Sequence, residues 1–108
     1  MKNRISELAL QVRKNPDDSF SKFALALELW KNGDIEKTKL LFENIIETDS
    51  QYLGVYYHLA KLYTEIEETE KALRTYKKGI EIASKRGDLH SLAELKEALL
   101  ILESEMDY

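Results

Sequence analysis

Apolar residues recur along this chain at spacings of three and four, and nowhere alternate over a useful strand length. That period is the signature of amphipathic helices. Ile5, Leu8, Ala9 and Val12 place one face on a helix of about 3–14, ended by Asn15-Pro16. Asp17, Asp18 and Ser19 then supply capping oxygens for a helix of about 18–32. Gly33 suits the left-handed residue that closes it, and Asp34 caps a third helix of about 35–48. That helix directs Leu41, Phe42, Ile45 and Ile46 inward. A fourth, about 52–66, presents Tyr56, Leu59, Ala60 and Tyr63. Thr69 starts a fifth, about 69–84, with Ala72, Leu73, Tyr76 and Ile80 facing in. Gly87-Asp88 stops it and caps a last helix of about 89–105. Six helices with short connections predict antiparallel neighbours.

A second regularity overlies the first. Residues 19–52 and 53–86 align without a gap, a period of about 34 residues. Leu25 falls on Leu59, Ala26 on Ala60, Glu36-Lys37 on Glu70-Lys71, and Ile46-Glu47 on Ile80-Glu81. Leu29 falls on Tyr63, Thr38 on Ala72 and Phe42 on Tyr76. The size pattern has a packing reason. Ala26 and Ala60 are small where helices cross closely, whereas Phe42 and Tyr76 supply bulk from the following helix. Gly79 takes the position of Ile45, so the two crossings cannot pack alike. A repeat of helix pairs buries its apolar faces by piling units on one another.

The pattern resembles the tetratricopeptide repeat family, whose first helix runs large, Leu, small, aromatic and whose second runs small, aromatic, small. Residues 53–86 match through Tyr56, Leu59, Ala60, Tyr63, Ala72, Tyr76 and Gly79. Residues 19–52 match more loosely through Lys22, Leu25, Ala26, Leu29, Thr38, Phe42 and Ile45. The family's closing proline is replaced by Ser50 and Ser84, though Pro16 fits it one period earlier. The resemblance implies an all-α, right-handed solenoid of helical hairpins. It divides one domain, 1–108, into a half-repeat helix at 1–16, repeats at 19–52 and 53–86, and a capping helix at 87–108. It also implies protein or peptide binding in a concave groove lined by the first helix of each pair. One subtype grips a C-terminal carboxylate with Lys, Asn and Arg. Phe23, Leu27, His58, Asp88 and Leu92 occupy those positions here, so a carboxylate clamp is not expected.

Candidate binding residues follow from surplus apolarity. Beyond the Leu25, Ala26 and Leu29 stripe, the helix of 18–32 carries Phe20, Phe23, Leu27 and Trp30 on a second stripe. A helix apolar on most sides is either enclosed or adhesive. Tyr57 and Lys61 would extend that surface from the fourth helix. In the last helix Leu92, Leu95, Leu99, Leu102 and Met106 recur at the spacing of a helix-pairing seam. Leu95, Leu99 and Leu102 are the candidates for a homodimer contact, the rival to peptide binding, in which this helix and the apolar surface of the first repeat would be consumed by a second copy. Glu94, Lys96, Glu97 and Glu103 are expected on that helix's polar outer side.

Composition narrows the function by exclusion. The 108 residues are 44% hydrophobic and 33% charged, a globular balance with net charge −4. There is no cysteine, hence no disulfide or thiolate chemistry. His58 and His90 have no carboxylates at metal-binding or catalytic spacing, and no phosphate-cradling glycine loop occurs. No enzyme activity, catalytic residue, metal or cofactor is expected. No apolar run reaches membrane-spanning length and no secretory leader opens the chain, so a cytoplasmic location is the default expectation. The cations Lys71, Arg74, Lys77, Lys78, Lys85 and Arg86 cluster on the fifth helix without interleaved aromatics, which argues for a solvated face rather than nucleic-acid binding. Pairing of Glu67 with Lys71, Glu70 with Arg74 and Lys77 with Glu81 would neutralise part of it. The acidic balance elsewhere favours a protein or peptide partner with basic residues.

Overall fold

A computed structural model describes residues 3–106. They form six α-helices: α1 (Arg4–Lys14), α2 (Ser19–Lys31), α3 (Ile35–Thr48), α4 (Gly54–Glu65), α5 (Thr69–Arg86) and α6 (Leu89–Met106). The chain divides into two compact units at the Tyr52–Leu53 junction. This is also where one aligned block gives way to the next.

In the first unit, α2 packs against both α1 and α3. Leu8 of α1 meets Leu25 and Leu29 of α2 in a buried cluster, flanked by Ile5, Ala9, Val12, Ala24 and Leu41. Each of the three buried leucines contributes on the order of 1.5–3 kcal/mol by leaving water. Side chains fix the antiparallel register of α2 and α3. The Ser19 hydroxyl, at the head of α2, donates to Asp49 Oδ2 just past the tail of α3, at 2.7 Å. Thr38, at the head of α3, is buried beside Ala26 and donates to the Asp34 carbonyl at 2.7 Å.

Side chains cap the first three helices, at Asp18 and Asp34 as the sequence suggests and at Asn3 besides. Asn3 accepts from the Ile5 amide, Asp18 from the Phe20 amide and Asp34 from the Lys37 amide. These bonds satisfy amides that have no partner within the helix. By contrast α4 and α5 begin at Leu53 and Glu68 without a side-chain cap bond.

Helix ends repeat with more fidelity than the residues that make them. After α2, the Gly33 amide donates to the Trp30 carbonyl and the Asp34 amide to that of Leu29, both at 2.9 Å. After α4, the Glu67 amide donates to Thr64 at 3.1 Å and the Glu68 amide to Tyr63 at 2.8 Å. After α5, Gly87 and Asp88 repeat the arrangement on Ser84 and Ala83. This double bond pattern requires a left-handed residue. Gly33 and Gly87 supply it at φ 84° and 70°, and Glu67 is forced to φ 62°.

In the second unit α5 packs between α4 and α6, which also touch one another. Tyr56, Leu59, Ala60 and Tyr63 of α4 and Ala72 and Tyr76 of α5 are buried, as are their counterparts Leu25, Ala26, Leu29, Thr38 and Phe42. Val55 and Leu62 are buried as well, so α4 is enclosed over more of its circumference than its apolar stripe predicts. The ion pairs on α5 also depart from expectation. Lys71 pairs with Glu68 at 3.1 Å and Lys78 with Glu81 at 3.0 Å, both at i,i+3.

The leucine seam of α6 is corrected by the packing. Leu95 is only 2% exposed and Leu102 is buried, both within the chain's own core. Leu99 is half-buried. These three residues serve internal packing first, because α6 must cover α5 as well as reach α4. The large apolar side chains that α6 leaves in water are Leu89, Leu100, Ile101 and Met106.

Candidate functional site

On the first unit the candidate surface is the second stripe of α2. Phe20, in the first turn, is 67% exposed. Phe23 is half-buried, its ring 5.9 Å from that of Phe42 and 5.6 Å from that of Tyr52. Trp30 stands edge-on to Phe42 at 5.9 Å and is likewise half-buried. Contacts of this geometry hold aromatic rings in place. Leu27 and Trp30, with Glu28 and Lys31, border an open recess of about 430 Å³. The stripe is thus anchored at its centre and in water at its start.

On the second unit α4, α5 and α6 enclose a cleft of about 300 Å³. One wall is Tyr57, Lys61 and Thr64 of α4, and Tyr76 of α5 closes the floor. The other wall is α6, through Glu94, Glu97, Ala98, Ile101, Leu102 and Glu105. Tyr57 and Glu94 also border a smaller recess of about 230 Å³, shared with His58 and Ser91. The two recesses therefore adjoin along α4 and α6.

The electrostatics of the cleft are lopsided. Lys61 Nζ lies 5.9 Å from the Tyr57 ring centroid, in cation–π range. Among the described residues Glu97 and Glu105 have no ion-pair partner, and Glu94 meets only the His90 ring, at 3.8 Å. Three carboxylates face one ammonium. The Tyr76 phenol is pushed up to about 12, first by burial and then by the neighbouring Tyr57, with the Thr64 hydrogen bond opposing. It stays a neutral hydrogen-bonding group at the floor.

Tyr57 and Lys61, candidates from the sequence, both line this cleft. Glu94 and Glu97, expected on a polar outer side of α6, share the cleft wall with Ile101. The signal lay in the spacing 94, 97/98, 101, 105, which puts them on one face of α6. Among the described residues no group of three or more His, Asp or Glu side chains could hold a metal ion, and no helix is long and apolar enough to cross a membrane.

Comparison with known proteins places this geometry in a family. Residues 29–99 match the tetratricopeptide repeat family. A tetratricopeptide repeat domain protein from Salinibacter ruber is 42% identical in its crystal structure, covering 81% of this chain and 97% of that one, with TM-score 0.77. Its solution structure gives 42% identity, coverage of 83% and 91%, and TM-score 0.79. A Bordetella parapertussis protein shares the fold at 19% identity, TM-score 0.82, covering 97% of this chain and 91% of that one. No curated protein matches. The chain belongs to the tetratricopeptide repeat family, whose domains are generally protein-interaction scaffolds and typically non-catalytic.

Proposed function

We propose that this chain is a non-enzymatic scaffold that holds a protein or peptide segment. In this reading repeats 19–52 and 53–86 carry the binding surface, and helices 1–16 and 87–108 act as terminal half-repeat and cap. The observation that carries it is the second stripe of α2, which leaves Phe20 67% exposed in its first turn and borders an open recess with Leu27 and Trp30 further along. Aromatic anchors beside shallow recesses are where interface energy concentrates. On the second unit Tyr57 and Lys61 are the candidate contacts.

The test is affinity capture with the wild type and with a Phe20→Ser/Leu27→Ser variant, after circular dichroism shows equal helicity. Proteins recovered by the wild type should be lost from the variant. Recovery of the same set by both would sink the α2 surface.

Homodimerisation through α6 is the second reading, favoured by Leu89 and Leu100 at 75% and 66% exposure. Sedimentation should then show a dimer that Leu100→Glu dissociates. A monomer at all concentrations would dismiss it.

A further inference from the structure

We infer that the cleft between α4 and α6 selects partner segments in which a lysine or arginine adjoins an apolar side chain. This rests on the scaffold reading, adds the inner face of α6 to its binding surface and narrows it to one class of peptide.

The cleft offers two kinds of surface at once. Ile101 is 52% exposed and, with Ala98 and the Tyr57 ring, forms an apolar patch. Glu97 and Glu105 stand one turn before and after Ile101 on the same face of α6. A carboxylate beside apolar surface and without a cation of its own is a recognition element in want of a partner charge. Its complement is a cationic side chain whose apolar neighbour covers Ile101. An acidic segment would meet three carboxylates, and a wholly apolar one would leave them unpaired as water is excluded.

Lys61 gives the inference a distinctive signature. Among the described residues it is the one cation on the cleft walls, and it occupies the Tyr57 ring face at 5.9 Å. An incoming cation is repelled by it and competes with it for that ring. Removing a residue that lines the cleft should therefore strengthen binding rather than weaken it, an outcome that simple loss of contacts does not produce.

The probe is a phage-displayed library of random dodecapeptides, panned on the immobilised full chain. Enriched peptides are expected to pair lysine or arginine with an adjacent apolar residue. For a synthetic copy of the dominant peptide, fluorescence anisotropy should show affinity falling about fivefold for Glu97→Gln/Glu105→Gln. Affinity should rise about two- to threefold for Lys61→Gln. Both changes should shrink between about 50 and 300 mM salt. All three replacements are at exposed side chains, so the fold is not at stake. Enrichment of neutral or acidic peptides, lost with Phe20→Ser/Leu27→Ser, overturns this inference and leaves the scaffold standing. Basic peptides indifferent to both sets of cleft variants overturn it as well. No enrichment at all overturns both readings.

Discussion

A Cβ placed on Gly79 would lie 2.8 Å from the Cβ of Tyr56, closer than two such carbons can approach. The Leu95 methyls would crowd it from the other side at 3.2 and 3.3 Å. Gly79 is thus the point where α5 passes between α4 and α6. Ile45 occupies the matching position in the first unit and is itself fully buried.

Gly79→Ala should therefore destabilise the protein. Helix propensity alone favours alanine by about 1 kcal/mol, but overpacking against a backbone-fixed carbon costs about 1–3 kcal/mol. A net loss of up to about 2 kcal/mol is expected in urea unfolding. A gain would mean that the crossing is looser than these distances imply.

Glu67 should respond in the opposite sense. It is held at φ 62°, where a side chain costs on the order of 1 kcal/mol that glycine avoids. Glu67→Gly should stabilise by about 0.5–1 kcal/mol, while Gly33→Ala should destabilise by about 1 kcal/mol. Chemical denaturation of both variants reads the two signs directly.

Lys22 is buried, yet its ammonium donates to two neutral groups, Asn44 Oδ1 at 2.8 Å and Thr48 Oγ1 at 3.3 Å. Both acceptors lie on residues exposed to water and can be hydrated without it. Lys22→Met, which keeps the stem, should change stability by less than about 1 kcal/mol. Lys22→Ala removes the packed stem and should cost about 1–2 kcal/mol. Equal losses from both would show that the charge, rather than the stem, matters.

Alkaline pH should weaken the fold through Tyr76. Its pKa rises from 10.0 unfolded to about 12 folded, chiefly by burial. Between those values the folded state binds more protons than the unfolded one, so stability falls as pH rises past about 10 and levels off near 12. Tyr52 is shifted upward too, by burial and then by Asp18 and Asp49, and adds in the same direction. Urea midpoints measured from pH 9 upward should decline less steeply in Tyr76→Phe than in wild type.

The helices were largely legible because local rules set them. The expected span 35–48 is that of α3, and Asp18 and Asp34 cap where their side chains suggested. Positions such as Ala26, Phe42 and Tyr76 were recognisable as core because the repeat displays their size pattern twice. The seam of α6 misled because leucines at helix-pairing spacing do not say which helix they pair with. Leu95 turned to the chain's own core and left Leu100 outside.

By itself, then, the order of residues determined the six helices, the caps, the left-handed closures at Gly33 and Gly87, and membership of a repeat family. These depend on neighbours a few positions apart or on a pattern repeated along the chain. Only tertiary structure decided that Glu97, Ile101 and Glu105 of α6 would share one cleft with Tyr57 and Lys61 of α4. It alone decided, too, that Lys22 would be buried under neutral partners. Both outcomes turn on how closely separate helices approach, which close packing of many side chains sets and no short stretch of chain encodes.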